Sequence, residues 1–169
     1  PGALGRLGAL EQLHLSDNQL TGRIPAVLSN CSSLTALQLD KNGLSGEIPA
    51  QLGELKALQV LFLWGNALSG SIPPSLGDCT ELYALDLSKN RLTGGIPDEV
   101  FGLQKLSKLL LLGNALSGPL PPSVADCVSL VRLRLGENLL AGEIPREIGK
   151  LQNMVFLDLY SNRFTGHLP

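Results

Sequence analysis

The sequence predicts an α/β solenoid of seven 24-residue repeats, with a parallel β-sheet on the concave face and 3₁₀-like turns on the convex face. Three observations carry that expectation. Asn18, Asn42, Asn66, Asn90, Asn114, Asn138 and Asn162 stand 24 residues apart with no insertion or deletion, and a fixed period of this size marks a repeat architecture. Before each asparagine lies an L-x-L segment such as Leu85-Asp86-Leu87. After each of the first six lies a proline followed by apolar residues at every third position, as in Pro25, Leu28, Cys31, Leu34 and Pro121, Val124, Cys127, Leu130.

The elements of one unit follow in order. In L-x-L the leucines face one side and the intervening residue the other, which predicts a short strand. The asparagine sits where the chain bends out of that strand, and its amide can satisfy backbone groups of adjacent coils that water does not reach. The ladder is therefore expected to be structural. A strict spacing of three after a proline fits a 3₁₀-like turn better than an α-helix, because proline presets φ at the start of the turn. A single unit cannot bury its leucines, whereas stacked units bury them against their neighbours. The full text of a unit, L-x-x-L-x-L-x-x-N-x-L-x-G-x-[IL]-P, is exemplified by Leu10, Leu13, Leu15, Asn18, Leu20, Gly22, Ile24 and Pro25. It is a leucine-rich repeat, and its G-x-[IL]-P half resembles the plant-specific type.

Residues 1–169 read as a single leucine-rich-repeat solenoid without a linker. Both ends fall at the same phase of the repeat and neither carries an atypical polar unit, so the expectation is an uncapped fragment of a longer array. A net charge of −2 offers no basic footprint for nucleic acid. No apolar run approaches the ~20 residues of a membrane span, so any membrane attachment would come through a segment of the parent outside this sequence.

Cys31, Cys79 and Cys127 occupy the position held by Leu7, Leu55, Leu103 and Leu151 in the other units. Two coils apart, at roughly 10 Å, they are beyond disulfide reach and read as buried free thiols. Asn30-Cys31-Ser32 is the one glycosylation sequon and makes Asn30 a candidate acceptor on the turn side.

Catalytic chemistry is not legible. His14 and His167 lie six coils apart, roughly 30 Å, and cannot share a metal or a catalytic centre. Asp40, Asp86 and Asp158 point outward from different coils, too far apart for paired acid–base work. Gly2, Gly5 and Gly8 fall inside a turn and are no phosphate cradle. The expectation is no enzyme, no metal and no cofactor.

Function in a solenoid falls to residues the core does not use. The outward strand positions include Phe62 and Trp64 on one coil and Leu110 and Leu112 two coils further on. Large apolar groups there mark an interaction surface, unless they only pack together to cover the sheet. The next coil adds Arg132 and Arg134, with Lys108 beside Arg132. Adjacent guanidiniums repel unless an anion joins them, and an arginine fork fits a carboxylate. Asp158, across from Arg134, supplies the competing surface salt bridge, but one aspartate cannot neutralise three cations. A strip of apolar pockets ending in a carboxylate-sized basic site suits an extended peptide with a free C-terminus. The candidate peptide-binding residues are thus Phe62, Trp64, Asp86, Lys108, Leu110, Leu112, Arg132, Arg134, Asp158 and Tyr160. Seven coils span about 30 Å, which an extended chain covers in roughly nine residues.

The segment Leu130-Val131-Arg132-Leu133-Arg134, with both arginines at outward phases, resembles the R-x-R motif of plant leucine-rich-repeat receptor kinases that perceive secreted peptide hormones. The surrounding text, Leu106 to Asn114 and Val155 to Tyr160, looks most like the receptors for root meristem growth factor peptides. The resemblance implies a peptide ligand whose C-terminal carboxylate is held by Arg132 and Arg134. It also implies a parent on the extracellular side of the plasma membrane, with a membrane span, a serine/threonine kinase domain and a co-receptor kinase as partner. The family's R-x-G-G motif for sulfated tyrosine does not occur here, and that pocket is expected before Pro1. The co-receptor contacts are expected after Pro169. Two other readings use the same repeat: a secreted inhibitor similar to polygalacturonase-inhibiting proteins, and an immune-receptor array with an incidental concave strip.

Overall fold

The computed structural model describes residues 2–169. Its coils are named one to seven by their asparagines, Asn18 to Asn162. The outward face carries a seven-stranded parallel sheet whose strands follow chain order: Gln12–His14, Ala36–Gln38, Val60–Phe62, Ala84–Asp86, Lys108–Leu110, Arg132–Arg134 and Phe156–Asp158. The register advances by one repeat per strand, so that Phe62 pairs with Asp86, Asp86 with Leu110, Leu110 with Arg134 and Arg134 with Asp158. Each strand is x-L-x rather than the expected L-x-L. The second leucine has already begun the bend, although its N–H still pairs across, as from Leu39 to Phe62 O at 2.8 Å.

The structure adds a second seven-stranded parallel sheet built from the L-x-G portions of the units, among them Gly43–Glu47, Ala67–Ser71 and Leu139–Glu143. The sequence reading did not anticipate it. These segments have poor strand propensity, with Gly46 and Gly70 at positive φ. Stacking alone places them at pairing distance, so tertiary context makes the sheet.

Six turns of the described residues are 3₁₀ segments as expected, such as Ala26–Asn30 and Pro74–Asp78; all but the first, Leu4–Arg6, are entered through a proline. Coil five is the exception: Asp98–Phe101 forms a single α-helical turn. At the position of Phe101 the neighbouring turns carry small residues such as Gly53 and Gly77. A Cβ on Gly77 would lie 2.5 Å from Glu99 O of the next coil. Phe101 instead goes fully inside, and the turn that carries it is wound wider.

The core is continuous, with Leu37, Leu61, Leu85, Leu109 and Leu133 all excluded from solvent. Cys31, Cys79 and Cys127 are buried free thiols, as the repeat phase predicts. Cys31 and Cys79 donate to Leu4 O and Leu52 O at 3.3 and 3.4 Å. Desolvation pushes the Cys79 thiol up to about 11 and the Cys127 thiol up to about 12.

The asparagine ladder clips each coil to the one before it. Asn66 Nδ2 donates to Leu63 O of its own coil and Leu39 O of the preceding coil, both at 3.0 Å. Its Oδ1 accepts Leu44 N–H of that preceding coil at 3.0 Å. The same pattern recurs at Asn42, Asn90, Asn114, Asn138 and Asn162. Asn18 donates only within its own coil.

Candidate peptide-binding face

Side chains alternate along each strand, so every coil presents its flanking residues to the outer face of the first sheet. The register stacks these into columns along the solenoid, and the column chemistry changes from one end to the other.

Toward coil two the surface is less open than the sequence suggested. Ala36, Val60 and Ala84 form a buried cluster of their own, and Phe62 lies half-buried against it. Phe62 thus covers part of the sheet, which is the packing alternative raised for the outward apolar residues. Three small side chains in register leave a shallow trough, and the adjacent ring fills it. Leu112 is mostly covered as well, with 8 % of it exposed.

In the middle coils, Trp64, Leu110 and Leu112 wall a depression of about 340 Å³. Its polar members are Asp86, Ser88, Lys89 and Arg134. Lys41 Nζ lies over the Trp64 ring, 5.3 Å from its centre. Asp86 Oδ1 accepts the Ser88 N–H at 3.0 Å. Burial pushes the Asp86 carboxyl above the usual carboxylate range; hydrogen bonds from Ser88 and the charge of Arg134 pull it back, while Asp40 adds to the rise. Asp40 itself is 7 % exposed and accepts a hydrogen bond from Ser16 Oγ at 2.6 Å.

The basic end is ordered by an aromatic platform. Lys108, Arg132 and Phe156 stand in register on consecutive strands. The guanidiniums of Arg132 and Arg134 both lie over the Phe156 ring, at 5.1 and 5.8 Å from its centre. Such stacking holds two like charges near one another by drawing both to one aromatic ring. Arg134 also pairs with Asp158, through Nε to Oδ2 at 3.1 Å. That contact uses only one edge of the fork and leaves the outer Nη pair without a protein acceptor among the described residues. Neither Lys108 nor Arg132 has a carboxylate within salt-bridge distance among those residues.

Asp158 is held in turn by Tyr160, whose N–H reaches Oδ1 at 3.4 Å. The Tyr160 ring lies on Gly136, where a Cβ would come within 2.5 Å of Cε1. The Tyr160 hydroxyl donates to Glu137, and that bond, more than any other cause, raises the phenol above its usual range. Tyr160 is therefore a brace for the basic end.

Of the ten residues expected on this face, the structure gathers Trp64, Asp86, Leu110, Leu112 and Arg134 around one depression. Arg132, Arg134 and Asp158 meet beside it, with Lys108 in the next strand. Ser88 and Phe156 fall at outward phases of the repeat but are not singled out by the sequence as binding residues, and Lys89 is not placed on this face by it at all. The repeat phase puts Phe156 one strand on from Arg132, but not its stacking against both guanidiniums. Asn30 is exposed at the end of its convex turn. His14 and His167 stay at opposite ends. Among the described residues, no group of three His, Cys, Asp or Glu side chains converges on a metal-sized space, and no helix is long and apolar enough to cross a membrane.

Comparison with known proteins agrees with this architecture. The Leucine Rich Repeat family model matches residues 9–31, 33–55, 57–79 and 81–103, together more than half of the chain. A 52-residue stretch is 50% identical to the LRR receptor-like serine/threonine-protein kinase GSO2 of Arabidopsis thaliana, covering 30% of this chain and 4% of that protein. The plant peptide hormone receptor RGFR1, solved in complex with RGF2, is 51% identical with a TM-score of 0.96 over 97% of this chain and 26% of the receptor chain. The Arabidopsis receptor kinase HAESA, solved with the peptide hormone IDA and the co-receptor SERK1, is 37% identical with a TM-score of 0.85, covering 97% of this chain and 32% of that one. The chain thus spans a third or less of the length of these relatives. It belongs to the leucine-rich-repeat family, and its repeats are of the kind carried by the ectodomains of plant receptor kinases.

Proposed function

We propose that the concave face binds an extended secreted peptide and that Arg132 and Arg134 hold its C-terminal carboxylate. The observation that carries this reading is the paired guanidinium platform on Phe156, in which Asp158 occupies only the Nε edge of Arg134. Three cations, Lys108, Arg132 and Arg134, thus stand beside one carboxylate. A bidentate peptide carboxylate fits the free fork edges with charge-assisted hydrogen bonds. In this reading the parent is a receptor kinase on the extracellular side of the plasma membrane, and a co-receptor kinase joins the ligand-bound complex. RGFR1 and HAESA, whose structures contain peptide hormones, support it. An N-glycan on exposed Asn30 would point away from the sheet.

The test uses the purified chain against a library of nonapeptides with free C-termini, with RGF2 included as a probe. Binders are resynthesised as acids and amides and measured by calorimetry. Amidation is expected to weaken binding roughly 100-fold, in line with loss of about 3 kcal/mol of charged hydrogen bonding. Arg132→Ala with Arg134→Ala should abolish the difference. Equal affinity of acid and amide forms for the wild-type chain would refute the proposal.

A further inference from the structure

The depression between the apolar trough and the basic end has a chemistry of its own. Its walls, Trp64, Leu110 and Leu112, can donate little: only the indole N–H is polar. Asp86 stands among them with Phe62 and Leu110 as its in-register neighbours, and neither can give it a hydrogen bond. Ser88 is its one hydrogen-bonding neighbour among the described residues. The cation whose charge acts on it, Arg134, is already paired with Asp158. A carboxylate placed in apolar surroundings with spare acceptor capacity is stabilised by a donor brought from outside.

The charge around the depression narrows the donor. Arg134 and Lys89 both line it, so a lysine or arginine side chain would meet two like charges. An acidic side chain would face Asp86. A purely apolar one would bury the carboxylate without a new partner.

We infer that this depression is a specificity pocket for an uncharged, hydrogen-bond-donating side chain of the bound peptide (a primary amide, hydroxyl or imidazole), with Asp86 as its acceptor. The inference rests on the peptide reading above, which fixes the counting. Asp86 and Arg134 are two strands apart, roughly 10 Å, which an extended peptide crosses in about three residues. The selected side chain therefore sits about three residues before the terminal carboxylate. The apolar stem lies against Trp64 and Leu110, and the polar tip reaches Asp86.

The experiment is positional selection from the same free-acid nonapeptide library on three proteins: the wild-type chain, Asp86→Ala and Asp86→Asn. Circular dichroism and unfolding curves establish that each variant is folded. On the wild-type chain, Asn, Gln, Ser, Thr and His are expected to be enriched at least five-fold over Leu and Lys at a single position near the third from the C-terminus. In Asp86→Ala that enrichment should vanish and Leu should rise, while Asp86→Asn should admit acceptors such as Glu as well. Selection of Lys or Arg there, an apolar preference in the wild type, or an unchanged preference in Asp86→Ala would overturn the inference. Acid-versus-amide discrimination on the wild-type chain separates the two claims. If discrimination is present without dependence on Asp86, only the pocket falls. If it is absent, the carboxylate reading falls and takes the pocket with it.

Discussion

Replacing Asn138 by alanine tests whether the ladder holds coil to coil. Asn138 is 5 % exposed and makes four hydrogen bonds. It donates to Leu111 O, Leu135 O and Gly136 O at 3.0, 3.0 and 3.1 Å, and accepts Leu116 N–H at 3.0 Å. The three carbonyls keep other donors in the variant: Asn114 for Leu111, Asn162 for Leu135 and the Gly113 N–H for Gly136. The Leu116 N–H keeps none, and Leu116 is fully buried. One orphaned buried donor costs about 1–3 kcal/mol, and thinning the three carbonyl sites adds to it, so the expected loss is about 2–4 kcal/mol. Asn18→Ala is the control, because Asn18 is exposed and bonds only within its coil; its cost should stay near 0.5 kcal/mol, about that of an ordinary surface change. Urea unfolding followed by circular dichroism gives the difference, and hydrogen exchange at the Leu116 amide locates it. The weakened joint lies between coils five and six, so the transition should also broaden as neighbouring segments uncouple. A cost for Asn138→Ala equal to that of Asn18→Ala would refute this account of the ladder.

Asp86→Asn should stabilise the fold at neutral pH. Because burial raises the folded carboxyl above its unfolded value of about 3.9, ionisation penalises the folded state as pH rises through that window, and the penalty fades as pH falls toward the unfolded value. The melting temperature should therefore rise at pH 7 but not at pH 3, and an equal shift at both would contradict the assignment. Phe156→Leu removes the ring beneath both guanidiniums, each contact worth about 0.5–1 kcal/mol. It should weaken free-acid peptides roughly five-fold with little change in the far-ultraviolet spectrum; undiminished affinity would argue against the platform. Cys79 and Cys127, with thiols pushed up to about 11 and about 12, should stay inert to a thiol reagent at pH 8 and react only when denaturant opens the chain. Rapid labelling of the native protein would show that the core is not closed around them.

The parts of the fold that follow from period were legible in the sequence. The ladder phase alone placed Leu85 and Cys79 inside, Asn30 on the turn side and Arg132 beside Lys108 on the outer face. What escaped was decided by neighbours one coil away. The second sheet forms from segments such as Gly43–Glu47 because stacking brings them to pairing distance, not because they favour strands. The α-turn at Asp98–Phe101 reflects one large residue at a position otherwise kept small. On the binding face, the sequence showed which residues point outward but not which of them lie down: Phe62 turns onto Ala36, Val60 and Ala84, and Phe156 spreads under two arginines. Side-chain orientation within a column depends on the volumes beside it, and periodicity carries no information about that.

The asparagine clips have a direction. Asn42 completes the Leu20 N–H, Asn66 completes that of Leu44, and each further asparagine closes the coil that precedes it. On a ribosome making about 5–20 residues per second, a coil waits about one to five seconds for its successor before its last backbone donor is satisfied. Growth of the array is thus a ratchet, in which every new turn of chain locks the one already made and is itself left open. A pause or a misread codon in one unit would leave the previous unit, not the altered one, as the first to fray.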